Sequence, residues 1–231
     1  MRKRFHKTVS SSLDLPFLLR RKKDGSEVRI HPFPLYAINP GSLDTVPADV
    51  YARSWSAFEH ISLYRGIVSY DVGMTPEHFM RRIGNFACFF LDTPHLDAGS
   101  TYYGFANMFD HRQCSYIYIA DVRSAPFGKG PFPKRSFGRY RGVGRATIAL
   151  AVRLHMLLYP DMPDTAIALH VDALNGTLSL YRSYGFVSRE RTGQGKYEMD
   201  LDRAGAERFL REYLRYNTDH DERSGGTPDG P

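Results

Sequence analysis

The stretch Arg139-Tyr140-Arg141-Gly142-Val143-Gly144-Arg145-Ala146 sets two glycines among three arginines, and an apolar helical pattern begins at once behind it. A helix leaves its first N–H groups without intrahelical acceptors, and its aligned peptide dipoles make that end positive. Where glycines open such a helix behind a strand, the backbone amides come close to a phosphate, and arginine adds bidentate donors to its oxygens. The chemistry on offer is capture of a phosphate or pyrophosphate. Charge placement reinforces it. From Val122 to Pro160 there is no Asp or Glu, while Arg123, Lys129, Lys134, Arg135, Arg139, Arg141, Arg145 and Arg153 supply eight positive charges; taken from a net +6, they leave −2 for the rest of the chain. A charge run is most often a solvated surface, but one built around glycines reads as a binding field for an anion.

Two common phosphate motifs fit poorly. A P-loop requires Gly-Lys-Ser/Thr, and Arg145 and Ala146 follow Gly144 instead. A dinucleotide fingerprint requires a small residue where Thr147 stands and an acid about twenty residues on, after a strand, whereas Pro160 and Asp161 fall in a loop. Arg141 to Ala146 resembles the Arg/Gln-x-x-Gly-x-Gly/Ala motif with which the GNAT N-acetyltransferases cradle the pyrophosphate of acetyl-CoA. A second stretch, LHVDALNGTLSLYRSYGF, resembles the later strand–helix block of that family, with Asn175 opening the helix, Leu180-Tyr181 inside it and Gly185-Phe186 closing it. The resemblance covers about residues 75 to 201.

The resemblance implies a role for each matching position. The backbone of Val122 pairs with the pantetheine arm. Arg141 and the amides of Gly142, Val143, Gly144, Arg145 and Ala146 hold the pyrophosphate, Asn175 bonds the pantetheine, and Tyr181 is the acid that protonates the departing thiolate. A phenol of pKa ~10 suits a thiolate of similar basicity. Taken singly, Asn175 is more often a helix cap and Tyr181 a core aromatic; their shared register with Gly185-Phe186, downstream of the glycines, favours the functional reading. The chain departs from the family in two places. Tyr116 stands where many members carry a Glu, which leaves the general base open among His170, Asp121 and a water chain, with His170 first. His111 is a further titratable group near a strand end. The link between Val122 and Arg141 is also longer than usual, and its lysines and aromatics are available to cover the coenzyme, shape the acceptor site or touch an acidic partner.

These residues need a scaffold. The periodicity predicts helices over 48–66, 75–84, 143–159, 174–185 and 204–216, and strands at 27–35 and 165–171. Three aromatic and β-branched runs, NFACFFLD, STYYGFANMFD and CSYIYIADV, predict an antiparallel meander, and 186–201 predicts two strands around a Gly-rich turn. The expected fold is α/β (α+β), a GNAT-type mixed and mostly antiparallel sheet splayed between strands 4 and 5, with helices on both faces. The expected organisation is a basic flexible arm over 1–26, a single domain over 27–216 and a disordered tail over 217–231.

A chain of 231 residues with 42% hydrophobic and 24% charged residues suits a globular domain with a real core. No apolar run approaches the ~20 residues of a membrane span, and the basic start lacks the uninterrupted apolar stretch of a secretory signal. Cys88 and Cys114 are too few for a disulfide framework or a zinc site, so no metal is expected and a cytoplasmic setting is. The resulting expectation is an acetyl-CoA-dependent N-acetyltransferase acting by direct attack of a primary amine on a small molecule, peptide or protein, with a homodimer compatible. Two other readings stand beside it: a nucleic-acid-binding module using the basic window, extending to acetylation of an RNA-linked amine, and a CoA-binding but inactive relative.

Overall fold

The computed structural model of the protein describes residues 15, 17–34, 86, 88–93, 102–124, 140–162, 164–172, 177–192 and 195–224. The expected meander is present. β3 (Cys88–Leu91), β4 (Tyr102–His111) and β5 (Tyr116–Ser124) run antiparallel in sequence order. Before them come β1 (Phe17–Arg21) and β2 (Glu27–Pro34), which form a hairpin. β2 divides its pairing: Glu27 to Ile30 face β1, and His31 to Pro34 face β3. Pro32 is tolerated there because a proline lacks only the one donor, and β1 has already ended opposite Ile30. The short β6 (Tyr140–Arg141) lies antiparallel on the outer side of β1.

Beyond the meander, β7 (Thr165–Asp172) joins β5 in parallel, and β9 (Lys196–Asp202) and β8 (Val187–Arg191) extend the sheet antiparallel. Among the described residues the sheet has nine strands, in the order β6-β1-β2-β3-β4-β5-β7-β9-β8. The protein is thus a mixed α/β structure dominated by a large, mostly antiparallel sheet, with β5–β7 as its parallel pair. A parallel pair requires a crossover, and the crossover here carries α1 (Val143–Leu158).

α1 packs against β5, β4, β7 and β1. Ala146, Ala149 and Ala151 are fully buried on it, and their small side chains let the helix lie close to its neighbours. Its buried Thr147 is satisfied locally, donating to the Val143 carbonyl at 2.9 Å. α2 (Leu178–Ser183) is a single short turn. α3 (Arg203–Ser224) starts under an Asp202 cap, which accepts from the Gly205 N–H at 2.7 Å, and packs Ala206, Phe209, Leu210 and Tyr213 onto α1, β7 and β9.

Two boundaries differ from the sequence expectation. The arm expected over 1–26 contains β1, whose Phe17 and Leu19 are fully buried; the alternation Phe17-Leu18-Leu19 supplies a core face that the following Arg-Arg-Lys-Lys run masks by composition. The helix expected to stop at 216 continues to Ser224, with Asn217 buried. The helices expected over 48–66 and 75–84, the segment 125–139 and Asn175 lie outside the described residues.

Candidate functional site

β6 delivers the chain to Gly142, which caps α1 with φ +121° and ψ −9°. A side chain is excluded there twice over. The backbone angle is one that L-residues rarely adopt, and a Cβ would meet Leu19 Cδ2 at 3.2 Å and the Leu18 carbonyl at 3.3 Å. The glycine turn is therefore closed against β1. Register fixes it, because Arg141 pairs with Arg20 and Tyr140 with Arg21.

The first intrahelical bond runs from the Ala146 N–H to the Gly142 carbonyl at 2.8 Å. No side chain caps the helix and no acid lies in its first turn. The N–H groups of Val143, Gly144 and Arg145 precede that bond and so have no acceptor within the helix. Gly144 faces open ground, since a Cβ on it would reach only Val122 Cγ1, at 4.0 Å. The positive end of α1 is thus set beside Val122.

Val122 lies on the part of β5 that β7 leaves unaccompanied. The parallel register covers Ile117–Ile167, Tyr118–Ala168 and Ile119–Leu169 and then ceases, while β5 continues to Ser124 and β7 to Asp172. Among the described residues, the end of the β5–β7 register, with an uncapped helix start beside it, is the central feature of the site.

The arginines divide their work. Arg141 is exposed at the turn. Burial first, and Arg141 second, hold the Lys22 ammonium below its ordinary pKa, so positive charge is concentrated at this edge. Arg145 turns toward α3, its guanidinium 4.8 Å from the Tyr216 ring and 5.6 Å from that of Tyr213. Arg20 sits 4.5 Å from the same Tyr216 ring and pairs with Glu27 at 3.1 Å. Arg145 therefore offers an anion its amide, with its side chain engaged in tying α1 to α3.

Tyr181 is half-buried on α2, edge-on to Phe186 with ring centroids 5.6 Å apart. Its carbonyl accepts from the N–H groups of Tyr184 at 3.0 Å and Phe186 at 3.1 Å, a closure made possible by Gly185 at φ +94°. The Tyr181/Gly185-Phe186 spacing read from the sequence thus has a local structural basis. α2 is the next element described after β7, whose last residues lie past its register with β5.

His170 sits on that end of β7, exposed, one residue past the last paired position. The Tyr118 hydroxyl lies 3.0 Å from its Nδ1, and the two rings meet edge-on at 5.5 Å. His111 stacks on Tyr116 at 5.0 Å and stands edge-on to Tyr118 at 5.7 Å. On the next strand Glu198 is directly across from His170, and Asp200, paired with Arg189, is two residues on. Burial raises the Asp200 carboxyl pKa, and Arg189 partly offsets that. Burial likewise raises the Tyr116 phenol, helped by Cys114, Glu198 and Asp200. Asp121 lies on β5 opposite Asn107, its side chain outside the described residues. Sequence reading singled out His170, His111 and Tyr116 but missed Tyr118, the residue that joins two of them. The alternation Tyr116-Ile117-Tyr118-Ile119 was the available signal.

Among the described residues no three of His, Cys, Asp or Glu gather as metal ligands, and no helix is long and apolar enough to cross a membrane. No family model and no curated protein significantly matches the chain.

Proposed function

We propose that the protein is an acetyl-CoA-dependent N-acetyltransferase of the GNAT type. The observation that carries this reading is the juxtaposition of the uncapped, acid-free start of α1 with the stretch of β5 around Val122 that lies past its register with β7. The β5 edge past its register with β7 is where an extended amide-bearing arm would align, and the helix start beside it supplies amides and positive field for a pyrophosphate. A pantetheine diphosphate has those two parts in that order.

In this reading the amides of Val143, Gly144 and Arg145 hold the pyrophosphate, the Ala146 amide being committed to the Gly142 carbonyl, and the backbone at Val122 aligns the pantetheine. Backbone N–H groups past the end of the β5–β7 register stabilise negative charge as it develops on the thioester oxygen. The amine nitrogen bonds to the carbonyl carbon, the C–S bond breaks, and Tyr181 gives its hydroxyl proton to the thiolate. His170 is the base on the acceptor side. The test is calorimetry with CoA together with an acetyl-CoA consumption screen over small amines, peptides and aminoacyl-tRNA. Binding plus turnover with one amine class is the expected result; no CoA binding by the folded protein refutes the reading, and binding without turnover leaves the inactive relative.

Lys22 and Arg141 at this edge, beside Arg20 and Arg21 that pair with Glu27 and Asp24, favour one second reading, recognition of a nucleic acid or of an amine carried on one. It calls for salt-sensitive RNA binding whose slope flattens by up to about three contacts when Lys129, Lys134 and Arg135 are all replaced by Ser. The enzyme reading expects negligible RNA affinity before and after.

A further inference from the structure

We propose that Tyr118 takes the proton of the acceptor amine and passes its own to His170. This rests on the acyl-transfer reading and names the acid–base unit of that same site. β5 and β7 place the two residues on either side of the point where the strands part: Tyr118 precedes the last paired residue of β5, and His170 follows that of β7. Ile117, Ile119, Ile167 and Leu169 are buried in the core, so by strand alternation Tyr118 and His170 share the other face. Ala168 is the register partner of Tyr118, and its small side chain leaves the phenol room to lean along β7 to the imidazole, reaching 3.0 Å.

The chemistry needs both groups. A neutral phenol is too weak a base to keep a proton, but it accepts one while releasing another. The released proton goes to Nδ1 of His170, and Glu198, across the strand, offers the imidazolium a carboxylate. Asp200, from the same strand, adds to that field but is largely committed to Arg189, and His111 stands edge-on to the Tyr118 ring while stacking on Tyr116. The balance is simple. An ammonium loses one proton through Tyr118 to His170, and exposed His170 returns it to solvent. The free amine then attacks the thioester, and its second proton makes good the one that Tyr181 gives to sulfur.

The experiment compares wild type, Tyr118→Phe, His170→Gln and the double variant in acetyl transfer between pH 6 and 10, with CoA affinity measured alongside. Tyr118→Phe keeps the ring contacts, so CoA affinity should hold while kcat/KM at neutral pH falls about 10²-fold, the usual weight of one such group. The deficit should shrink toward pH 10, where the amine arrives deprotonated. The double variant should be no worse than the poorer single one, because the two act as a unit. A deficit equal at every pH, additive losses, or no loss in Tyr118→Phe would each overturn the relay while leaving a CoA-binding acetyltransferase in place. A wild type that binds no CoA fails at the earlier step instead.

Discussion

Gly144→Glu separates folding from binding more cleanly than any other single change at the turn. Gly144 is the second residue of α1, and a Cβ there meets nothing nearer than Val122 Cγ1 at 4.0 Å, so the substitution fits. Replacing glycine in a helix by a good helix former gains roughly 0.5–1 kcal/mol, and a carboxylate in the first turn gains about 0.3–1 more from the dipole. No acid occupies that turn now. The variant should therefore be about 1–2 kcal/mol more stable, a rise of roughly 2–8 °C in Tm for a domain of this size. Binding moves the other way. A carboxylate about 4 Å from one phosphate charge, at an effective dielectric constant near ~20, costs about 4 kcal/mol. That is roughly 10³-fold in Kd for CoA. Gly144→Ala, which adds only an ordinary contact, is the control and should bind normally. A Gly144→Glu protein that keeps its melting transition and binds CoA within tenfold of wild type refutes the placement of the pyrophosphate.

Three further outcomes follow from the same geometry. Gly142→Ala forces a side chain into φ +121° and against Leu18 and Leu19, and urea unfolding should show it about 1–3 kcal/mol less stable. Tyr181→Phe keeps the edge-on contact with Phe186; CoA affinity should survive while turnover drops about 10²- to 10⁴-fold, and wild-type turnover would reduce the residue to packing. His155 is fully buried, its Nε2–H donating to the Ser115 carbonyl at 2.9 Å and its Nδ1 without a partner among the described residues. Burial, and less so Arg203, hold its pKa below the ordinary 6.5, against the Ser115 bond and Asp110. A depressed pKa contributes stability above the unfolded value that is lost as pH falls through the folded one. Denaturation midpoints should thus decline as pH is lowered below about 6.5, with a smaller decline in His155→Gln.

The meander, α1, β7 and the glycine turn were legible because each is announced locally, by alternation, by period or by glycines at a helix start. β1 was not, since its three apolar residues are outnumbered by the charges behind them, and only pairing with Val28 and Ile30 reveals their core face. The end of α3 was hidden for a related reason: Asn217 is polar but buried, and propensity undervalues such a position. Tyr118 and His170 stand 52 residues apart, and only the β5–β7 parallel register brings them together. A one-residue slip between the two strands would have left them on opposite faces. No pattern within a short window encodes that.

The pairing of Arg20 with Arg141 also imposes an order on the birth of the molecule. The wall that closes the glycine turn leaves the ribosome early, and the turn itself is made about 120 residues later, some 6–24 s at ~5–20 residues per second. Through that interval Phe17 and Leu19 have neither α1 nor β6 to lie against. The β1–β2 hairpin must be kept from other partners while most of the sheet is still being translated, and the loop closed at the end is among the longest in the fold, a slow step by its entropy. A nascent chain halted before residue 140 should therefore be a better client for a chaperone than one halted after 160, even though both already contain the complete meander.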